Sequence, residues 1–153
     1  GNSDDKGLGY GTQYTVYGAA ARTRVWNNVA SAPTFKCPQK NDAFTVNDTN
    51  KGNGALTYPV GLITADEIVA AGSGKYNANN TSYYLYRGTT YFYWSLSPFY
   101  YDSTYVFIVS KNGSLYGDNV NYNGAVTPVI NLSVDYVNTL RGTGTMTDPY
   151  QTV

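Results

Sequence analysis

Residues 91–132 read YFYWSLSPFYYDSTYVFIVSKNGSLYGDNVNYNGAVTPVINL, and this stretch decides the fold. Residues 105–110 (YVFIVS) are mostly β-branched and aromatic, which predicts a buried strand. Asn112 and Gly113 form a dipeptide typical of tight hairpin turns, so a second strand is expected at residues 114–116. Residues 125–132 predict a third strand. The stretch therefore indicates antiparallel β-structure.

A short helix is predicted upstream, at residues 65–71 within GLITADEIVAAG (61–72). Thr64 can cap its N-terminus, and the Glu67 carboxylate can reach back to the amide of the capping residue. Gly72 can adopt the left-handed conformation that ends a helix. Asp66 and Glu67 are therefore interpreted as first-turn carboxylates facing the positive end of the helix, rather than as a catalytic acid pair.

Three further segments complete the fold prediction. Residues 83–86 and 91–96 flank Arg-Gly-Thr-Thr, a pattern suited to a hairpin. In residues 18–25 the alanines favour a helix, whereas the neighbouring valine and aromatic residues favour a strand, so both structures remain open. A last short strand is expected around Tyr150. The pattern predicts an α+β fold with short antiparallel strands, one or two helices and long irregular loops.

The composition argues against several kinds of chemistry. Lys and Arg together number 10 and Asp and Glu number 10, so there is no basic field to attract nucleic acid. Histidine is absent and Cys37 is the only cysteine, which removes the commonest general base and metal ligand. No apolar run is long enough to cross a bilayer. We therefore expect no enzyme, no cofactor and no metal site.

The aromatic residues indicate binding. A tyrosine ring offers a large, stiff surface and one hydroxyl, which antibody loops exploit for recognition. Aromatic residues are also strand formers that pack in cores, and we expect that role for Trp94, Tyr84, Tyr86 and Tyr93. Three successive aromatics at residues 99–101 cannot all point to one face of a strand. At least two exposed rings are predicted among Phe99, Tyr100, Tyr101, Tyr105, Tyr116 and Tyr122.

The ordered motifs GLITADEIVAAG, SYYLY, YWSLSP, VFIVSKNGSL, VTPVINLSVD and GTGTMTDPY resemble those of the variable proteins of diversity-generating retroelements. These are bacterial and phage surface proteins, some of them pilin-like, with the formylglycine-generating-enzyme type of C-type lectin fold. The resemblance implies a C-type lectin-like ligand-binding domain at residues 32–153, and an irregular lead-in at residues 1–31 cut from a longer chain. It also implies an extracellular, cell-surface or virion location, and an unknown protein or glycan as partner, without membrane contact by this fragment.

In that family a diversified ligand site stands on a constant scaffold. Carried over, the contact residues would be Phe99, Tyr100, Tyr101, Asp102, Ser103, Tyr105, Phe107, Ser110, Tyr116, Asp118, Asn121, Tyr122 and Asn123. The scaffold would include Trp94, Leu96, Pro98, Val106, Ile108, Val109, Gly113, Leu115, Val120, Gly124, Val126, Pro128, Val129, Ile130 and Leu132. Every contact residue can arise by substitution of the adenines in AAY codons.

The chain departs from the family pattern at two positions. Thr127 stands where relatives commonly have arginine, so a charge that could brace the site is missing. Relatives often have a second cysteine, and none is present here, so Cys37 is either a buried thiol or half of a disulfide lost by truncation. An enzyme is the least expected function, because the cysteine pair of formylglycine-generating enzymes is also missing.

The function that follows is receptor recognition or adhesion through a diversified, tyrosine-rich surface, without catalysis. The alternatives are a carbohydrate-binding lectin and a structural subunit at the tip of a pilus or fibre. Calcium-dependent lectins resemble the chain poorly, because it contains no EPN, QPD or WND triplet and few carboxylates.

Overall fold

The computed structural model describes residues 21–27, 33–36, 44–50, 54–74, 79–88, 90–99, 104–145 and 147–152. The predicted contact residues Tyr100, Tyr101, Asp102 and Ser103 lie outside the described residues, as do Cys37 and most of the lead-in.

Two small antiparallel sheets form the described β-structure. The first contains β2 (Tyr93–Pro98), β3 (Tyr105–Val109) and β4 (Leu115–Asn119), in that spatial order. The second is a ribbon of β1 (Val60–Leu62) and β5 (Pro128–Ile130). The helical elements are a π-helix (Arg22–Asn27), α1 (Ala65–Ala70) and α2 (Val134–Val137). The coarse α+β prediction with antiparallel strands is confirmed.

One face of the three-stranded sheet forms the core. Tyr93 pairs with Val109, and Val109 pairs with Leu115, so these side chains share a face. Phe107 lies on the same face, two residues before Val109, and all four side chains are buried. Ile68 of α1 belongs to the same cluster. The predicted strand at residues 105–110 and the tight turn after it are confirmed.

The capping of α1 also agrees with the sequence. The Glu67 amide donates to Thr64 Oγ1 at 3.2 Å, and the Thr64 amide donates to Glu67 Oε2 at 2.8 Å. Gly72 has a φ of 111°, the left-handed stop that was predicted. Asp66 has a role that the sequence did not reveal, since its buried carboxylate accepts from Arg24 Nε at 3.0 Å and Arg24 Nη2 at 2.9 Å.

This ion pair fixes the π-helix against α1. Arg24 and Asp66 form a bidentate pair, the strong geometry for a guanidinium and a carboxylate. The Thr34 amide donates to the same carboxylate at 2.9 Å, so a third segment meets there. The sequence allowed either a helix or a strand at residues 18–25. The structure shows a helix over residues 21–27, while residues 18–20 lie outside the described part of the chain.

The predicted hairpin between residues 83–86 and 91–96 is wrong. The Tyr86 amide donates to Tyr83 O at 3.1 Å in a turn, and β2 pairs with β3 instead. The tyrosines act through their hydroxyls: Tyr83 donates to Gly113 O at 2.9 Å, and Tyr93 donates to Leu85 O at 2.8 Å. Tyr84 is 82% exposed, so its predicted core role is also wrong. Tyr86 and Trp94 are half-buried.

The C-terminal part differs in detail from the prediction. The strand expected at residues 125–132 is limited to β5, although Ala125 forms a separate bridge to Tyr93. Around Tyr150, a single bridge joins Arg141 and Gln151 in place of a strand. α2 is capped by Ser133, whose hydroxyl accepts from the Tyr136 amide at 3.2 Å. Within the described residues, no helix is long and apolar enough to cross a membrane.

Candidate functional site

Several of the predicted site residues lie at one end of the three-stranded sheet. β2 ends there, β3 begins there and β4 ends there, because neighbouring strands are antiparallel. Tyr105, the first residue of β3, pairs with Asn119, the last of β4. The Val120 amide donates to Thr104 O at 2.9 Å, which holds the two connections together. We call Tyr105 and the residues Asn119, Val120, Asn121, Tyr122 and Asn123 the aromatic end.

The aromatic end is open to solvent. Tyr122 is 59% exposed and Tyr105 is 37% exposed, while Asn121 and Asn123 are also exposed. Tyr116, near the start of β4, is exposed as well. The prediction that at least two rings of the aromatic set are exposed is confirmed. The groups presented are ring faces, phenol hydroxyls and carboxamides, which stack on a partner and exchange hydrogen bonds with it.

Local hydrogen bonds determine the path of the loop after β4. Asp118 Oδ1 accepts from the Asn119 amide at 2.8 Å, and Asn119 Oδ1 accepts from the Asn121 amide at 3.2 Å. The Tyr122 amide donates to Asn119 O at 3.1 Å and closes the turn. Such side-chain contacts are how Asp and Asn stabilise turns. The exposed side chains of Asn121 and Tyr122 thus stand on a backbone with fixed geometry.

A half-buried aromatic pair supports the end of this loop. Phe92 and Trp94 pack edge to face with their ring centroids 4.9 Å apart. A Cβ atom at Gly124 would lie 2.4 Å from Phe92 Cε2 and 2.7 Å from Trp94 Nε1, so only glycine fits this close approach. The Ala125 amide then donates to Phe92 O at 2.8 Å, which fixes the loop to the edge of β2.

Two of the predicted contact residues are core residues. Phe107 is 0% exposed and Phe99 is 6% exposed, and their ring centroids are 4.8 Å apart in an edge-to-face contact. The alternation of the strand directs Phe107 inward, and Trp26 packs on Phe99 at 5.3 Å. Gly117, opposite Phe107, leaves room for the Phe99 ring. The prediction that these two side chains contact a ligand is wrong.

Ser110 is separated from the other predicted contact residues. It follows the last residue of β3, whereas Tyr105 begins that strand, so about 17 Å of extended chain lies between them. Its Oγ lies 2.8 Å from Ser114 Oγ and also hydrogen-bonds Asn112, within the tight turn between β3 and β4. The structure gives Ser110 a role in the turn, at the opposite end of the sheet.

Tyr116 and Asp118 lie on the outer face of β4, and only Asp118 is next to the aromatic end. Tyr116 pairs with Ile108 and Asp118 pairs with Val106, so the strand alternation directs them away from the core face. Trp26 lies 6.1 Å from the Tyr116 ring and supports it at the sheet edge. Tyr105 is in phase with Phe107, so Tyr116 and Asp118 lie on the opposite face of the sheet from Tyr105.

Some residues that were predicted to belong to the buried scaffold lie at the surface instead. Leu96, Val120, Val126, Ile130 and Leu132 were expected to form the frame, but their side chains are exposed. The exposure of Ile130 could not be predicted from the sequence, because it depends on which face of a two-stranded ribbon is covered. Val120 is part of the aromatic end itself.

Candidate metal ligands do not cluster in the described part of the chain. No group of three or more Asp, Glu, His or Cys side chains lies close enough there to hold a metal ion. Comparison with known proteins finds no matching family model, no similar curated protein and no similar solved structure.

Proposed function

We propose that this chain is a non-catalytic ligand-binding module of the diversified kind found in variable proteins of diversity-generating retroelements, with a C-type lectin-like fold. It would serve receptor recognition or adhesion on a cell surface or virion. The observation on which the proposal depends is the aromatic end, where exposed tyrosine and asparagine side chains stand on a backbone fixed by hydrogen bonds.

The arrangement suits recognition for two physical reasons. Binding residues are commonly found on loops that a rigid scaffold positions. A loop with a fixed path loses less conformational entropy on binding, which leaves more of the contact energy as affinity. The Asp118–Asn119–Asn121 hydrogen bonds supply this rigidity, and the rings of Tyr105 and Tyr122 supply contact area.

The arrangement also suits diversification. Tyr105, Asn121, Tyr122 and Asn123 are exposed, so substitutions there leave the core unchanged. All four can be encoded by codons derived from AAY through adenine substitution. The neighbouring frame positions Gly117 and Gly124 are crowded by aromatic rings, which would have to shift to admit a side chain.

Sequencing the DNA around the gene tests this proposal. We expect a reverse transcriptase and a template repeat nearby, together with sibling copies of this chain. Sibling sequences should differ at Tyr105, Asn121, Tyr122 and Asn123 and should agree at Phe107 and Gly117, because the first group is exposed and the second forms the core. Differences spread evenly along the chain, or concentrated at the core positions, would contradict the proposal.

A glycan array tests the carbohydrate alternative. We expect any binding to be lost in a Tyr122→Ser variant and to persist when a calcium chelator is added. Binding that the chelator abolishes would instead support a calcium-dependent lectin.

A further inference from the structure

The β5 strand has one edge that β1 does not use. Its register pairs Val60 with Ile130, Gly61 with Val129 and Leu62 with Pro128. Pro128 has no N–H, and the Val60 amide donates to Tyr58 O at 2.8 Å, so neither outer pair exchanges both hydrogen bonds. In an antiparallel ladder the remaining pair, Gly61 with Val129, must then be the hydrogen-bonded one. The Ile130 N–H and C=O therefore point away from β1.

These backbone groups have no partner among the described residues. Neither Ile130 nor Leu132 forms a hydrogen bond on this outer side with any part of the chain that the structure describes. A strand edge with free N–H and C=O groups is a template for pairing with another extended chain. The edge of β5 is therefore chemically competent to accept a strand.

The side chains at this edge favour association. Ile130 is 61% exposed, and Val126, Leu132 and Val60 are exposed with it. Residues 126–134 contain no charged side chain, so the charges that usually prevent pairing at strand edges are missing. Two copies of this segment would meet without electrostatic repulsion.

From this edge we infer that two copies of the chain associate by antiparallel pairing of β5 with β5, centred on Ile130. In that register the two Ile130 residues exchange both of their hydrogen bonds. Pro128 of each copy lies opposite Leu132 of the other, and Pro128 O accepts from the Leu132 amide. Pro128 thus acts only as an acceptor, which is the one role that its missing N–H allows.

The symmetry of this pairing is the reason why we expect a second copy of the chain, rather than another protein, to pair with the edge of β5. Shifting the register by two residues places Pro128 opposite Ile130 of the other copy, where the carbonyl of Ile130 finds no donor. The register centred on Ile130 therefore satisfies outward backbone groups that this shifted register leaves unpaired. Because the paired segment is short, well below the area that stable complexes bury, we expect a weak, concentration-dependent dimer.

Sedimentation equilibrium tests the inference. Between about 1 μM and 1 mM, the apparent mass of the chain should rise from 16.7 kDa towards twice that value. The variant Ile130→Pro removes one outward N–H without removing a β1 hydrogen bond, and we expect it to weaken association about tenfold or more. Ile130→Ala, which keeps the N–H, is the matched control and should associate more strongly than Ile130→Pro.

Amide hydrogen exchange supplies a second readout that needs no variant. The Ile130 amide should exchange more slowly at high protein concentration, because pairing protects it. The Val129 amide, which already belongs to the β1 ladder, should change little. If Ile130→Pro fails to fold, Leu132→Pro and Leu132→Ala provide the same comparison outside the strand.

Three results would overturn the inference: a monomer across the whole concentration range, equal association of the proline and alanine variants, or exchange of the Ile130 amide that does not depend on concentration. A chain that stays monomeric but binds an extended peptide at this edge would also refute pairing with a second copy.

Discussion

Among single residues, glycines decide where the aromatic rings can lie. Gly117 lies on the core face of β4, and a Cβ there would be 2.6 Å from Phe99 Cγ. No real side chain tolerates that distance, so the buried position of Phe99 depends on a missing methyl group. Gly117 therefore leaves the space that allows Phe99, one of the predicted contact residues, to lie inside the protein.

We expect Gly117→Ala to destabilise the fold by about 1–3 kcal/mol, the usual cost of overpacking a core. Urea unfolding measures the change. The double variant Gly117→Ala/Phe99→Leu should recover part of the loss, because leucine is smaller than phenylalanine and vacates the space. Strictly additive losses in the two single variants would show that the two side chains do not compete for space.

Among the secondary-structure elements, buried tyrosine hydroxyls connect β2 to the segments around it. Tyr93 of β2 donates to Leu85 O, and Tyr83 donates to Gly113 O in the turn between β3 and β4. Burial raises the pKa of both phenols above the ordinary value of 10.0. These hydrogen bonds join the sheet to the preceding turn, and each requires a protonated hydroxyl.

This arrangement predicts a loss of stability at high pH. Below pH 10 the phenol is protonated in both the folded and the unfolded chain, so its full contribution is present. As the pH rises above that value, the unfolded chain ionises first, and stability falls towards the raised pKa of the folded state. At neutral pH, Tyr93→Phe should cost about 1 kcal/mol for the lost hydrogen bond.

The difference in unfolding free energy between wild type and Tyr93→Phe should shrink above pH 10. Urea unfolding at a series of pH values measures this difference. Tyr84→Phe is the matched control, because Tyr84 is exposed. Parallel pH profiles for wild type and Tyr93→Phe would contradict the role assigned to the Tyr93 hydroxyl.

For the whole molecule, local structure could be predicted from the sequence, whereas contacts between residues far apart in the chain could not. The Thr64–Glu67 capping box and the turn at Asn112 and Gly113 depend on residues close together in the chain, and both were predicted correctly. The direction of Phe107 depends on which face of the sheet is covered, and the Arg24–Asp66 pair joins residues 42 positions apart. Nothing in one sequence marks such contacts.

The candidate site could likewise be predicted only in part. At least two exposed rings were predicted in the aromatic set, and Tyr105, Tyr116 and Tyr122 are exposed. Phe99 is the one described residue of the run 99–101, and it is buried. Which aromatics turn inward was not predictable, because it follows from strand alternation and from the space beside Gly117. The site therefore becomes a smaller surface at one end of the sheet, without Phe99, Phe107 or Ser110.

The separation of buried core residues from the exposed residues of the aromatic end predicts that the two groups can be changed independently. Tyr122→Ser and Asn123→Ser should each alter the unfolding free energy by less than about 0.5 kcal/mol, since their side chains are exposed. Phe107→Ala should cost about 3–5 kcal/mol, because it opens a cavity among packed rings. Thermal and urea unfolding of the three variants measure these effects.

Asn119→Ala provides the intermediate case. Its side chain accepts from the Asn121 amide, so its removal should loosen the loop while the core stays intact. We expect a loss of about 1 kcal/mol, accompanied by faster amide exchange confined to residues 120–123. If Tyr122→Ser proved as damaging as Phe107→Ala, the aromatic end would be part of the frame, and a diversified surface could not stand there.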